Sequence, residues 1–273
     1  MPTLEAVGIT NKSRDYQTTQ KFTKKGKKEM NDAHIMHKLA ELGLTGMKEA
    51  YQRQSENVAY HSLCFNERMC DLLEAQEVYL ANKKIKMNLK LSKIKDKQAC
   101  LEAIEYLPKR MLNKSLLMEL SKMHFIRASQ NIIITGKTGS GKSYLAQALA
   151  NRAIVEGFRT YYVRVPSLLE EIKLSRVDGT YANMLRKYAR FQLLILDDFG
   201  ISPMSTDDAV NLFEIIEDRT QVSSTIIASQ LPVAHWHDYL NHNTIADAIL
   251  DRVVHSSHRI ALEGSSMRRL KST

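Results

Sequence analysis

Cysteines and long hydrophobic runs are both scarce in this sequence of 273 residues. Its three cysteines, Cys64, Cys70 and Cys100, form no C-x-x-C pair and leave an odd thiol. This number argues against a disulfide framework or a structural zinc site and favours a reducing compartment. The chain contains no run of about 18 apolar residues, and its first residues lack the apolar segment of a signal peptide. We therefore expect a cytoplasmic protein that does not span a membrane.

Acidic residues are in the minority. The 39 lysines and arginines exceed the 30 aspartates and glutamates, which gives a net charge of +9. A basic balance favours a polyanionic partner, although a plain basic enzyme has the same average. Residues 1–30 are polar and contain a lysine cluster at 21–28. We predict a disordered basic arm there, and a solvated tail without a function is the equal alternative.

Residues 31–100 show the spacing of amphipathic helices. Ile35 and Leu39 share one face, and apolar residues recur at intervals of three and four from Phe65 onward. This pattern predicts a small helical domain that contacts a partner or DNA. The stretch 83–97 contains seven lysines and one acid, and its straight-chain lysines favour a helix. Its basic side chains either contact DNA phosphates or form a solvated face, and the two alternatives have equal weight.

A nucleotide-binding motif follows a short apolar run. Residues 131–143 read NIIITGKTGSGKS, so a β-branched strand precedes the pattern G-x-x-x-x-G-K-[ST], and an amphipathic helix follows it. Glycines let successive backbone N–H groups meet phosphate oxygens, and Lys142 can reach the β- and γ-phosphates. The Ser143 hydroxyl can bind Mg²⁺. We therefore predict that ATP binds to Gly136, Lys137, Thr138, Gly139, Ser140, Gly141, Lys142 and Ser143.

Four further apolar runs predict strands at 160–165, 192–196, 224–229 and 258–262. Helical stretches separate them, which predicts an α/β domain with a parallel sheet over residues 101–273. The run LLIL leads directly to Asp197 and Asp198, at the edge where parallel sheets bind ligands. In this Walker B pattern, Asp197 helps to hold Mg²⁺ and Asp198 positions or activates the attacking water. Tyr161 and Tyr162 indicate sheet packing rather than a base-stacking platform.

Six motifs extend across nearly the whole chain: HKLAELGLTGMKEAY, GKTGSGKS, LLILDDFG, STIIASQLPVAHW, ADAILDRVVH and EGSSMRRL. With these motifs the sequence resembles the AAA+ ATPases of the helicase-loader type, and most closely the IstB family of transposition helper ATPases. The resemblance implies an AAA+ P-loop fold preceded by a small all-α domain. It also implies a homo-oligomer that assembles on DNA with ATP between its subunits and activates a partner transposase. The related loader DnaC delivers a replicative helicase, which is the alternative function.

The same resemblance assigns further site residues. It implies that Gln230 occupies the sensor 1 position, Arg252 the arginine-finger position and Arg268 the sensor 2 position. A polar group beside the γ-phosphate can orient water, and a guanidinium can neutralise charge that develops there. The chain departs from the family in having Asp198 for the usual Glu and Gln230 for the usual Asn. The alternative for Arg252 is a surface salt bridge with Asp251 or another acid.

A small-molecule kinase is the third hypothesis that a P-loop permits. This class has little support, because the sequence shows no acceptor site or lid and the arginines at the finger and sensor positions would have no role. We therefore expect a Mg²⁺-dependent AAA+ ATPase that binds ATP and acts on DNA together with a cognate transposase.

Overall fold

A computed structural model describes residues 31–264 and 266–267. The basic arm predicted at 1–30 and the predicted sensor residue Arg268 both lie outside the described residues. The chain divides into two compact units, of which the first ends at Lys83 and the second begins at Lys84. The domain limits predicted at residues 30/31 and 100/101 stay predictions.

The first unit is helical. It contains helix α1 (31–41), helix α2 (Thr45–Glu56), a 3-10 helix (Val58–Ser62) and the first part of helix α3 (Phe65–Leu91). Helix α2 approaches α3 closely at Gly46, where an added Cβ would lie 2.5 Å from the Ala75 carbonyl oxygen and 2.7 Å from Tyr79 Cβ. The two helices therefore pack backbone to backbone at this point, which only glycine allows.

The second unit alternates helices and strands, as the sequence predicts. Its helices are α4 (Lys114–Leu120), α5 (His124–Arg127), α6 (Lys142–Val155), α7 (Val165–Val177), α8 (Tyr181–Ala189), α9 (Thr206–Glu217), α10 (Trp236–Leu240) and α11 (Asn243–Val254), with 3-10 helices at Pro108–Arg110 and Val233–His235. Its strands are β1 (Asn131–Gly136), β2 (Thr160–Arg164), β3 (Leu193–Phe199), β4 (Ser224–Ser229) and β5 (Ser257–Leu262). Within the described part of the chain, no helix is both long and apolar enough to cross a bilayer.

The five strands form one parallel sheet in the order β2-β3-β4-β1-β5. Both faces of β1 are covered, which explains its uninterrupted apolar run. Ile132 and Ile134 belong to the core on the side of α6, whereas Ile133 belongs to the opposite core with side chains of α7, α9 and α11. The predicted parallel α/β sheet is confirmed, and its carboxyl edge carries the motifs.

The lysine-rich stretch is helical only in its first half. Helix α3 ends at Leu91, and the chain then runs beside the edge strand β2, where the Ser92 carbonyl accepts a hydrogen bond from Tyr162 N at 2.7 Å. The Gln147 side chain of α6 accepts hydrogen bonds from the backbone N–H groups of Lys95 and Asp96. These partners satisfy backbone groups that a helix would have used internally, so the predicted helix stops early.

The close packing at Gly46 predicts the effect of adding one methyl group. Gly→Ala within a helix normally stabilises it, by up to about 1 kcal/mol in the interior and by less in the first turn, where Gly46 lies. In Gly46→Ala we expect the opposite sign, a loss of about 1–2 kcal/mol in the free energy of unfolding, because the Cβ overlaps the backbone of α3. Urea unfolding followed by circular dichroism measures this, with the exposed α2 residue Glu49→Ala as the control. A more stable Gly46→Ala would contradict the packing.

Candidate functional site

The P-loop connects the end of β1 to the start of α6. Gly141 precedes α6 with φ 94° and Gly139 has φ 82°, a region that side chains rarely adopt. An added Cβ would lie 2.2 Å from the Ser266 hydroxyl at Gly139 and 2.9 Å from an Arg110 nitrogen at Gly141. The backbone conformation and the close side chains of other segments therefore both favour glycine at these two positions.

Lys142 lies at the centre of this loop. Its side chain is buried, and Nζ donates hydrogen bonds to the carbonyl oxygens of Gly136 at 2.7 Å and Lys137 at 2.9 Å. Lys142 and Ser143 are also the first two residues of α6, whose positive dipole end faces the loop. An ammonium, a helix N-terminus and a curled glycine-rich backbone together form a phosphate-binding cradle.

Asp197 occupies the end of β3 and is 2% exposed. One carboxylate oxygen accepts a hydrogen bond from the Tyr162 hydroxyl of β2 at 2.6 Å, and the other accepts one from Asp198 N at 2.9 Å. Burial, followed by the hydrogen bond to Asp197, raises the pKa of Tyr162, so its hydroxyl remains a donor. The tyrosine therefore fixes the orientation of the carboxylate, a role that the sequence analysis missed when it assigned Tyr162 to sheet packing.

Asp198 has a backbone conformation unlike that of the rest of β3. Its φ is 58°, and the strand register shifts between Leu196 and Phe199. The turn directs the carboxylate towards β2, where Arg164 Nε donates a hydrogen bond to it at 2.5 Å. That hydrogen bond is the largest cause of the raised pKa of Arg164. An arginine at the end of the neighbouring strand thus holds the predicted water-positioning acid.

Gln230 follows β4 and contacts the P-loop directly. The Thr138 hydroxyl donates a hydrogen bond to its side-chain oxygen at 2.6 Å. The hydroxyl of the preceding Ser229 donates to the Phe199 carbonyl at 2.7 Å and accepts from Leu231 N at 3.0 Å. Gln230 rather than Ser229 therefore presents its side chain to the loop.

Arg252 lies at the opposite edge of the sheet. Its carbonyl accepts a hydrogen bond from the side chain of Asn131, the first residue of β1, whereas the P-loop follows the last residue of that strand. A strand of this length separates the two edges by roughly 16 Å. The guanidinium pairs with Glu217 and lies 5.0 Å from the Phe213 ring centre. The structure thus brings the P-loop, Asp197, Asp198 and Gln230 to one edge and leaves Arg252 at the other.

A cavity of about 230 Å³ adjoins the loop on the side of α6. Its lining includes Ala103, Ile104, Arg110, Tyr144 and Met267 besides P-loop residues. Apolar walls next to a phosphate cradle suit the nucleoside part of a nucleotide. Met267 N also donates a hydrogen bond to the Gly139 carbonyl at 2.9 Å, which ties the wall to the loop.

Comparison with known proteins assigns the family. Residues 37–273 match the family described as IstB-like ATP binding protein. The chain belongs to this family. A protein of Sinorhizobium fredii named as an insertion sequence ATP-binding protein is 41% identical over 234 residues, which cover 86% of this chain and 95% of the relative. A similarly named insertion sequence protein of Pseudomonas fluorescens is 36% identical over 203 residues, covering 74% and 88%.

Solved structures agree with the IstB-like assignment at the level of the fold. DnaI matches with a TM-score of 0.53 and 21% identity, over 61% of this chain and 92% of that chain. The DnaC helicase loader matches with a TM-score of 0.51 and 20% identity, over 62% and 99%. The second unit of this IstB-like protein therefore has the AAA+ P-loop fold, and its family is described as ATP-binding.

Three site residues escaped the sequence analysis. Tyr162 and Arg164 belong to strand β2. Their position near the carboxyl end of a predicted strand was the one feature of the sequence that indicated a place near the site. Arg110 lies 26 residues before the P-loop glycine Gly136 in a 3-10 helix, where no motif marks it. Its approach to Gly141 depends on the tertiary fold alone.

The position of Lys142 generates a direct test of the IstB-like ATP site. We expect Lys142→Ala to weaken ATP binding by about a hundredfold or more, since charge-assisted hydrogen bonds to phosphate contribute roughly 3 kcal/mol. Titration calorimetry measures the affinity. Lys122→Ala is the matched control, because Lys122 is an exposed lysine outside the loop. Equal affinities of the parent and Lys142→Ala would show that this loop does not hold the phosphates.

Proposed function

We propose that this IstB-like protein is a Mg²⁺-dependent ATPase that assembles on DNA as a homo-oligomer and recruits and activates a transposase. One observation carries the proposal: the groups suited to ATP hydrolysis lie at two opposite edges of the same sheet. Lys142 and the two Walker B acids lie at the carboxyl edge, and Arg252 lies at the amino edge. A neighbouring copy can supply the arginine that one chain cannot bring to its own loop.

The carboxyl edge has the donors that Mg²⁺-assisted hydrolysis needs. Ser143 and Asp197 would hold Mg²⁺, since a hydroxyl and a carboxylate are the hard oxygen ligands that this ion prefers. When bound, the ion neutralises charge on the phosphates. Asp198 orients the attacking water while Arg164 holds its carboxylate, and Gln230 contributes a polar group beside the γ-phosphate. Asp198 is one methylene shorter than the usual Glu. The position of its carboxylate therefore depends on the backbone turn at Asp198, where φ is 58°.

The pairing of Arg252 with Glu217 is compatible with a role across an interface. The glutamate side chain is 48% exposed, and such pairs contribute only about 0–1 kcal/mol. A triphosphate carries more charge than one carboxylate and can replace it at little cost. The γ-phosphate of ATP then forms hydrogen bonds between subunits that ADP cannot form, so ATP favours assembly and hydrolysis releases it.

The partner is proposed from the names of the relatives. Proteins 41% and 36% identical to this chain are named for insertion sequences, which supports a transposase as the partner. The likeness to the DnaC helicase loader rests on 20% identity and concerns the fold only. The helicase-loading alternative is therefore not favoured. The helical first unit is the part of the chain proposed to contact the partner.

Exposed lysines support the proposed contact with DNA. Six lysines of residues 84–97 are exposed: Lys84, Lys86, Lys90, Lys93, Lys95 and Lys97. None of them forms an ion pair with another described residue, whereas Lys173 and Lys187 each pair with an acid. Cations without acidic partners keep their charge available for phosphates, and such contacts read no base sequence.

Charge reversal at these lysines tests the DNA contact. We expect simultaneous Lys86→Glu, Lys90→Glu and Lys93→Glu to weaken DNA binding and to reduce the slope of log affinity against log salt by about 2–3, because each phosphate contact contributes about 0.9. Fluorescence anisotropy with duplex DNA at several salt concentrations measures the slope. The control reverses the exposed lysines Lys109, Lys114 and Lys122, with the same change in net charge. Identical slopes in the two variants would place the DNA path elsewhere.

Mixing two inactive variants tests the shared ATP site. We expect Arg252→Ala to bind ATP but not hydrolyse it, and Lys142→Ala to bind ATP too weakly to be active. In an equimolar mixture about a quarter of the interfaces combine an intact loop with an intact arginine, so ATPase activity returns. Phosphate release measures the activity in the presence of DNA.

Arg259→Ala is the matched control for the mixing experiment, because Arg259 is an exposed arginine on the adjacent strand β5. It should hydrolyse ATP at the parent rate. Full activity of Arg252→Ala alone, together with no gain on mixing, would remove the shared site from the proposal. The P-loop would then act within one chain.

A further inference from the structure

Arg110 is an arginine buried against the P-loop. It is the last residue of the 3-10 helix Pro108–Arg110, and the residue is 6% exposed. One terminal nitrogen donates a hydrogen bond to the Ser140 carbonyl at 3.1 Å, and the other donates to the Glu105 carbonyl at 2.9 Å. The guanidinium thus lies between the loop and the chain that precedes the sheet.

The third nitrogen of this guanidinium has no acceptor. Nε is buried and forms no hydrogen bond with any described residue. Within the described part of the chain Arg110 has no carboxylate at ion-pair distance, so the nearby Glu105 compensates its charge only in part. Burial lowers the pKa of Arg110, and the nearby Glu105 carboxylate only partly opposes this effect. Burying a cation with an unused hydrogen-bond donor costs free energy unless a ligand supplies the missing acceptor.

The cavity beside the loop is where such a ligand would be. Arg110 and the acid Glu105 line it together with residues 141–144 at the start of α6. Backbone N–H groups at a helix N-terminus attract phosphate, and a guanidinium with a free N–H complements them. Apolar walls next to them are suited to the nucleoside, so the phosphate nearest to Arg110 is the one joined to the ribose.

We propose that Arg110 is an ATP-binding residue whose guanidinium donates a hydrogen bond to the α-phosphate, while its bond to Ser140 supports the loop. The inference rests on the proposed ATP site and names a further residue of it. The competing explanation is that Arg110 only shapes the loop through the Ser140 carbonyl. The two differ in what they recognise: a direct contact distinguishes the oxygens of the α-phosphate, whereas support of the loop does not.

Nucleotides with sulfur at the α-phosphate separate these explanations. The probes are the two diastereomers of ADP in which one non-bridging α-oxygen is replaced by sulfur, bound without metal and measured by titration calorimetry. We expect the parent protein to prefer one diastereomer and Arg110→Gln to lose that preference, with a ratio of affinities within about twofold. Affinity for unmodified ADP should fall about tenfold, as for a lost hydrogen bond to a charged group.

The ratio of affinities is taken within each variant, so a partly unfolded sample does not change it. Lys109→Gln is the matched control, since it removes one positive charge at an exposed neighbouring position. It should keep the preference of the parent. If Arg110→Gln does not fold, Arg110→Lys decides, because it retains the charge but loses the separate Nε donor. In that variant too the ratio should shift towards one.

Two results would overturn the role of Arg110. One is a parent protein that binds both diastereomers equally, and the other is an Arg110 variant that keeps the parent ratio while losing affinity. Either result would leave Arg110 as a support of the loop. A parent protein that does not bind ADP at all would instead contradict the ATP site itself, so the two failures are distinguishable.

Discussion

The register of the parallel sheet is the constraint on which the whole site depends. Thr135 of β1 pairs with Ser229 of β4, so the residues that follow both strands meet, and Thr138 bonds to Gln230. On the other side of β1, Gly136 pairs with Leu262, and the chain beyond β5 reaches Gly139. A shift of one residue in either pairing would turn the side chains to the other face and separate these partners.

The charged groups of the site are held in two different ways. The buried groups Asp197 and Arg110 have neutral partners: a tyrosine hydroxyl and a backbone N–H for the carboxylate, and carbonyl oxygens for the guanidinium. The more exposed Asp198 has an ion pair with Arg164 instead. Neutral partners satisfy hydrogen bonds without cancelling charge, so a buried carboxylate still attracts a cation and a buried guanidinium still attracts an anion.

Sequence reasoning reached those parts of the site that local pattern determines. The P-loop, the positions of the strands along the chain and the two Walker B acids follow from short-range sequence, because glycine-rich turns and buried strands have recognisable local patterns. No local pattern marks Tyr162 or Arg110, because their partners lie 35 and 30 residues away in the chain and meet them only through the fold. The helix predicted over the lysine-rich stretch is correct only up to Leu91. Beyond it, hydrogen bonds with β2 and α6 compete with those of the helix.

The separation of Arg252 from the P-loop is what would let the proposed shared ATP site couple the nucleotide to assembly. An arginine on the same edge as Lys142 could contact ATP within one chain. Arg252 is instead fixed to Asn131 at the far end of β1, so in the proposed assembly a second copy would complete the charge around the γ-phosphate. Loss of the γ-phosphate would then remove that contact and leave each arginine to its weak pair with Glu217. Under this proposal the difference between ATP and ADP is expressed between subunits rather than within one.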